Sequence, residues 1–462
     1  AALFTIPTAG GEPRRLCDAI GGSNLAWGVS EAIGDMLVYV APHEPEPQSS
    51  FTIRAVPADG GEPSVIGSGV GDEMCATTLR TAPGQPRITI AIAKGLTTEL
   101  VNLNTPTGLL TLFCAHPTGD LGVFSVAMPP HATAPVVTVV RSAGGEPPEL
   151  WTGAPDALHR VSDHHAALRD VQFGKQEPFF WTAPDGLALD GILIRPPNAA
   201  EGPLPTVMLV HGGPYGRSPN GFHLRPLDWG QWLATHGYAV LMPNPRGGMG
   251  HGNAFATAAR GAVGEGDFGD VMAMVDAAIE RGIADPDRLG IGGWSQGGFM
   301  TAWAVTQTNR FKAGVMGAGV SDWNMMTMTS DMPTFEAALG GDRPWDGPGP
   351  HNAARLSPIS YAKNATTPLL MLHGKNDARV PVTQAIGFER ALRERGVPTQ
   401  LVTYPREPHG VRERAHQRDI LRRVRAWYDQ WLKPGDETGE NRRDAESTEN
   451  AEREREGEEE KI

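Results

Sequence analysis

Hydrophobic positions change their spacing twice along the chain. Up to about residue 160 they come in short runs broken by Gly- and Pro-containing turns, which predicts strands. One pattern recurs. Phe4-Thr5-Ile6-Pro7 leads to Gly10-Gly11-Glu12-Pro13, Ile53-Arg54-Ala55-Val56-Pro57 leads to Gly60-Gly61-Glu62-Pro63, and Val137-Thr138-Val139-Val140 leads to Gly144-Gly145-Glu146-Pro147. A degenerate copy, Leu100 to Gly108, fills the wide gap before the last. Gly11 and Gly61 are 50 residues apart, and Gly61 and Gly145 are 84 apart, or two steps of 42. Repeats of about 40–50 residues with short strands predict propeller blades, with an irregular β-sandwich as the alternative. Four outer-strand signatures are visible and the first lies at the start of the chain, so the expected propeller is incomplete: three blades and a remnant, or a four-bladed ring. Open blades expose strand edges, which invites self-association into a homo-oligomer.

Past Leu158 the pattern changes. Phe179 to Ala183 and Leu187 to Ile194 flank Pro184-Asp185-Gly186, a hairpin signal. From Pro205 to Trp431 apolar strands (Thr206 to Val210, Tyr238 to Met242) alternate with helical stretches such as Val271 to Arg281, which predicts a doubly wound, mostly parallel sheet. The Met-, Pro- and Gly-rich stretch from Asp322 to Lys363 interrupts the alternation and reads as a cap. The last segment, residues 436–462, carries twelve acidic and five basic side chains and almost nothing apolar, so it is expected to stay disordered.

Chemistry concentrates where strands end. Gly293-Trp294-Ser295-Gln296-Gly297 is a G-x-S-x-G run between an apolar strand, Arg288 to Ile291, and a helical stretch from Phe299. Strand, sharp turn and helix form the context in which a serine becomes an exposed nucleophile. A serine hydroxyl needs a base, and the base needs an orienting partner. Asp377 follows the strand Pro368 to Gly374, and His409 follows the strand Gln400 to Tyr404. Ser, Asp, His is the order that α/β-hydrolases use. An oxyanion hole is expected from the N–H groups of Gln296 and Gly213, with Gly212 a weaker candidate, in the loop His211-Gly212-Gly213-Pro214. His211 and His373 are read as structural. Trp294, Trp323, Tyr215 and Arg246 are candidate pocket residues, joined by Met325, Met326 and Phe335. Arg246 either holds the site's loops or touches substrate.

The His211-Gly212-Gly213-Pro214 loop, the run Asn244-Pro245-Arg246-Gly247-Gly248-Met249-Gly250-His251-Gly252, the serine turn, Asp377-Ala378-Arg379-Val380-Pro381 and His409-Gly410 together resemble the prolyl oligopeptidase family of serine peptidases, over roughly residues 170–432. That resemblance implies an α/β-hydrolase domain behind a β-propeller that excludes folded proteins. The prolyl oligopeptidase and dipeptidyl peptidase IV branches carry tyrosine where this chain has His211. Histidine there is similar to the acylaminoacyl peptidase branch, which implies release of an N-terminal amino acid or acyl-amino acid. Trp294 occurs in more than one branch and does not decide specificity.

Composition narrows the picture further. With 462 residues, 40% of them hydrophobic and 20% charged, two domains are expected: blades over residues 1–165, a hydrolase over 166–434, and the acidic tail over 435–462. Of the net charge of −13, −7 lies in the tail from residue 436, and that share says little about substrate. Arg412, Arg414, Arg418, Arg422, Arg423 and Arg425 read as a solvated helix face, so no nucleic-acid partner is expected. No apolar run reaches the ~20 residues of a membrane span. No secretory signal is visible at Ala1 to Pro7, so the expected place is cytoplasmic, although a start without Met leaves processing or truncation open. Cys17, Cys75 and Cys114 are expected to be buried thiols. No metal or organic cofactor is implied. The expected substrate is a short peptide or an aminoacyl amide; an esterase of the same fold and a non-catalytic docking protein are the rivals.

Overall fold

Strand-forming runs in the first 160 residues pair only with their neighbours in sequence, in a computed structural model that describes residues 2–18, 23–30, 34–66, 75–81, 87–116, 118–129, 131–132, 134–199 and 201–433. Three four-stranded antiparallel sheets follow one another: Ser23–Ser30 to Ser64–Val65, Ala76–Thr81 to Leu109–Cys114, and Asp120–Ala127 to Ala157–Arg160. Ahead of them lies a two-stranded sheet, Ala2–Thr5 with Arg14–Asp18. These are propeller-type meanders, packed by Val38, Ile53, Ile88, Ile90 and Leu103 in one core and Leu100, Phe124, Val137 and Val139 in the next. Cys17, Cys75 and Cys114 are free and buried. The acidic tail lies outside the described residues.

The sequence repeat is not in phase with the sheets. In the first four-stranded sheet the Gly60-Gly61-Glu62-Pro63 turn joins the third strand, Phe51–Pro57, to the fourth. Gly144-Gly145 instead joins the second strand of its sheet, Val136–Ala143, to the third, Glu146–Ala154. The copy at Val137 to Val140 is therefore not an outer strand. A Gly-Gly turn suits any hairpin, so it marks where strands reverse rather than which strand of a blade has ended.

The remaining chain forms one eight-stranded sheet. Its strands, labelled in chain order, are Lys175–Thr182 (β1), Ala188–Arg195 (β2), Leu204–Val210 (β3), Ala239–Pro243 (β4), Ala284–Trp294 (β5), Ala313–Gly317 (β6), Leu369–Gly374 (β7) and Thr399–Tyr404 (β8). The spatial order is β1-β2-β4-β3-β5-β6-β7-β8. β1, β2 and β4 pair antiparallel, and every later pairing is parallel. Successive side chains alternate between faces. Leu193, Met208, Leu241 and Ile291 pack with Val271 and Met274 of helix α1 (Gly266–Glu280) and Met300 of helix α2 (Gln296–Gln307). Ile192, Val207, Val240 and Val315 pack on the other side with Ile420, Val424 and Tyr428 of helix α3 (Arg414–Leu432). Both faces are covered, as an α/β-hydrolase sheet requires. No described helix is long and apolar enough to cross a membrane.

Four short helices, Trp323–Thr329, Pro333–Gly340, Asn352–Arg355 and the 3₁₀ turn Pro358–Asn364, replace sheet between β6 and β7. On α3, Arg423 pairs with Asp419 and Arg425 with Asp429, while Arg414, Arg418 and Arg422 are exposed.

The blades hold two loops of the hydrolase, those leaving β3 and β4. Arg217 donates to the carbonyls of Gly95 and Thr97, both at 2.7 Å, and pairs with Asp120 at 3.2 Å. Gln48 donates to Gly247 O at 2.8 Å, and Arg260 pairs with Glu44 at 2.6 Å. These contacts fix loops from which part of the site is built.

Candidate active site

Ser295 stands between β5 and α2 at φ 62°, ψ −116°. Positive φ is uncommon for a residue with a side chain and stores strain that the surroundings must hold. Here the Ser295 N–H donates to Gly317 O at 2.9 Å and the Ser295 carbonyl accepts from Phe299 N at 2.9 Å. A Cβ on Gly293 would lie 2.2 Å from Val210 O, and one on Gly297 only 2.0 Å from it. Both flanking glycines are thus needed for the strand and helix to approach β3 this closely.

Asp377 lies in the loop after β7 and His409 in the loop after β8, at the same carboxyl edge of the sheet. His409 Nδ1 donates to Asp377 Oδ2 at 2.7 Å, and the other carboxylate oxygen accepts the N–H groups of Arg379 at 3.0 Å and Val380 at 2.9 Å. The Asp377 carboxylate is 0% exposed, whereas the imidazole is 27% exposed and open to a reaction partner. Trp294, the neighbour of Ser295, donates its indole N–H to His409 O at 2.9 Å. Asn376 N donates to Glu407 O at 2.9 Å. The three loops are therefore joined to one another. Among the described residues no hydrogen bond joins the Ser295 hydroxyl to His409; in substrate-free hydrolases that contact is often long.

The loop after β3 completes the arrangement. A Cβ on Gly212 would lie 3.2 Å from Trp294 O and 3.5 Å from Ser295 Cβ, so the main chain passes directly beside the serine. Gly213 adopts φ 141°. Gln296 opens α2, so its N–H is among those with no acceptor inside the helix. Beside this loop is a cavity of about 450 Å³, lined by His211, Gly212 and Trp294 together with Asp120, Ser142 and Arg217.

Residues 229–435 match the model of the prolyl oligopeptidase family. That segment belongs to the prolyl oligopeptidase family. An uncharacterized peptidase of Bacillus subtilis, YuxL, is 37% identical over 305 residues, which is 62% of this chain and 42% of that protein. The acylamino-acid-releasing enzyme of Arabidopsis thaliana is 29% identical over 306 residues, 63% of this chain and 40% of that one. The chain thus spans about two fifths of the length of these curated relatives. Among solved structures, an acylaminoacyl peptidase of Pyrococcus horikoshii superposes with a TM-score of 0.78 at 23% identity, covering 95% of this chain and 67% of that one. A puromycin-hydrolyzing peptidase of Mycobacterium tuberculosis gives 0.75 at 24%, covering 93% and 64%. These likenesses show the fold, a β-propeller followed by an α/β-hydrolase domain.

Within this prolyl oligopeptidase fold, several candidate pocket residues stand elsewhere than expected. Trp323 is 1% exposed, edge-on to Phe299 with ring centroids 5.2 Å apart, and belongs with Met326 to a buried cluster under the cap helices. Both are core residues, and Phe335 packs against that cluster. Met325 is only partly buried. Arg246 is held by two carboxylates: its Nε and one terminal nitrogen bind Asp270, and its terminal nitrogens also grip Asp185. It fastens the loop after β4 to α1 and to the β1–β2 hairpin. Tyr215 faces the blades, its hydroxyl accepting Phe51 N at 3.3 Å and its ring 5.7 Å from that of Phe51. His211 donates from Nδ1 to Gly212 O at 2.8 Å and His373 from Nε2 to Val380 O at 2.7 Å, and burial lowers the pKa of both. Each therefore braces a loop as a neutral ring.

The blade anchors Gln48, Arg217 and Arg260 carried no signal in the sequence, because single polar residues in loops look solvated until their partners are known. Glu336 was equally silent. It is 4% exposed under the cap, and burial pushes its carboxyl up to about 8 despite nearby Arg379. Between about pH 4.3, the ordinary value for glutamate, and pH 8 the unfolded chain has lost a proton that the folded one keeps, so stability falls as pH rises. Glu336→Gln is expected to raise the urea midpoint more at pH 8 than at pH 5; an equal shift at both would contradict this.

Proposed function

We propose that this chain is a serine peptidase that hydrolyses amide bonds at the N-termini of short peptides, through Ser295, His409 and Asp377. Supporting this most directly is the pairing of a strained Ser295 turn with the 2.7 Å His409–Asp377 hydrogen bond on loops that Trp294 ties together. Ser295 Oγ attacks the acyl carbonyl. His409, whose Nδ1–H is held by Asp377, takes the serine proton at Nε2 and hands it to the leaving amine. The oxyanion is met by the N–H groups of Gln296 and Gly213. Water then attacks the acyl-enzyme with His409 again as base, and Ser295 is regenerated.

Release of an amino acid or acyl-amino acid is the specificity we favour. His211 in place of tyrosine supports it, as does similarity to relatives named acylamino-acid-releasing enzymes. The test is a kinetic screen of aminoacyl, N-acetyl-aminoacyl and dipeptidyl anilides beside a p-nitrophenyl ester. The highest kcat/KM is expected on one of the first two. Preference for dipeptidyl anilides would overturn the specificity, and cleavage of the ester alone would overturn the peptidase assignment.

A further inference from the structure

Glu407 stands two residues before His409 and is not among the groups that would touch substrate. It is 1% exposed, and both of its carboxylate oxygens are engaged. Oε2 accepts Arg412 N at 2.7 Å; Oε1 accepts Glu413 N at 2.8 Å and His416 Nδ1 at 2.7 Å. Its own carbonyl accepts Asn376 N, the residue before Asp377, at 2.9 Å. Opposite it, β7 ends in Gly374, where a Cβ would lie 2.4 Å from Glu407 O and 2.6 Å from Pro408 O. One residue thus closes the His409 loop onto the start of α3 with its side chain and onto the Asp377 loop with its main chain. The hydrogen bonds that hold this carboxylate bring its pKa down against the opposing effect of burial. Three N–H donors already occupy its oxygens, so its chemistry here is fastening.

We propose that Glu407 is a positioning residue for catalysis: it sets the height of the His409 imidazole over Asp377 and Ser295 by pinning both ends of the loop that carries it. His416 is its outer partner, held also by Tyr404, whose ring centroid lies 5.2 Å from the imidazole. A buried charged acceptor fits the task because charge-assisted hydrogen bonds are short and strong. Small displacements of a base are costly, about 10²-fold in rate for ~1 Å. This inference rests on the reading of Ser295, Asp377 and His409 given above.

The experiment is a double-mutant cycle on the full chain, using the best anilide from the screen. Glu407→Ala is expected to lower kcat about 10²-fold and to leave KM within about twofold, because no substrate contact is removed. Glu407→Gln, which keeps one acceptor, is expected to recover part of that loss. In an Asp377→Asn background the same Glu407→Ala change is expected to cost less than about threefold, since residues that act through one imidazole are not additive. Wild-type kcat in a folded Glu407→Ala protein would overturn the proposal, as would equal losses in both backgrounds. Should Glu407→Ala fail to fold, the cycle is run with Glu407→Gln, and the same additivity would overturn it. Full activity in Ser295→Ala would instead sink the triad reading itself, which keeps the two failures apart.

Discussion

Replacing Ser295 with alanine is expected to lower kcat on the preferred anilide about 10⁶-fold. The size follows from what the hydroxyl does. Without it no acyl-enzyme forms, and His409 and the N–H donors remain around a bound substrate with nothing to attack it. What survives is the contribution of binding and the oxyanion hole. The fold should be untouched or slightly more stable, because alanine at φ 62° keeps the same backbone strain and the serine side chain donates no hydrogen bond that supports α2; the helix start is held by the Ser295 main chain. A variant that melts with the wild type and is inactive meets the expectation. Near-wild-type turnover would mean that another nucleophile works.

Asp377→Asn is expected to cost about 10⁴ in kcat at neutral pH. The amide oxygen of the variant would still accept the N–H groups of Arg379 and Val380, so the loop after β7 keeps its shape. What is lost is the carboxylate oxygen that accepts from His409 Nδ1 at 2.7 Å. An amide NH₂ at that place favours the opposite imidazole tautomer, with the proton on Nε2, where it cannot take one from serine. The carboxylate's burial makes the effect large, because no water stands in for it. A fall of less than about tenfold, measured on the folded variant, would assign the orienting role elsewhere.

The fold was legible in the sequence, and the three residues proposed for catalysis were picked out there because each has a local signature. Gly293-Trp294-Ser295-Gln296-Gly297 announces its own backbone, and the close approach of Val210 O explains both glycines. Asp377 and His409 were found through apolar strands that end just before them, since a parallel sheet gathers its strand ends at one edge. Trp323 was placed in the pocket, and Arg246 was left between two roles, for the opposite reason. Whether a tryptophan lines a pocket or fills a core depends on Phe299 and the cap helices, and whether an arginine is free depends on Asp185 and Asp270, far off along the chain. The blade phase was lost because the Gly-Gly-Glu-Pro turn reports a hairpin without saying which. Glu407 was in plain view beside His409, yet its partners lie after it at Arg412, Glu413 and His416 and before it at Asn376, and no spacing rule joins them.

The nucleophile is probed most directly by treating the wild-type chain with a fluorophosphonate and mapping the adduct by peptide mass spectrometry. One adduct is expected, on Ser295, forming far more slowly in His409→Gln. An adduct on a different serine, or none on a chain that cleaves its anilide, would contradict the assignment of Ser295.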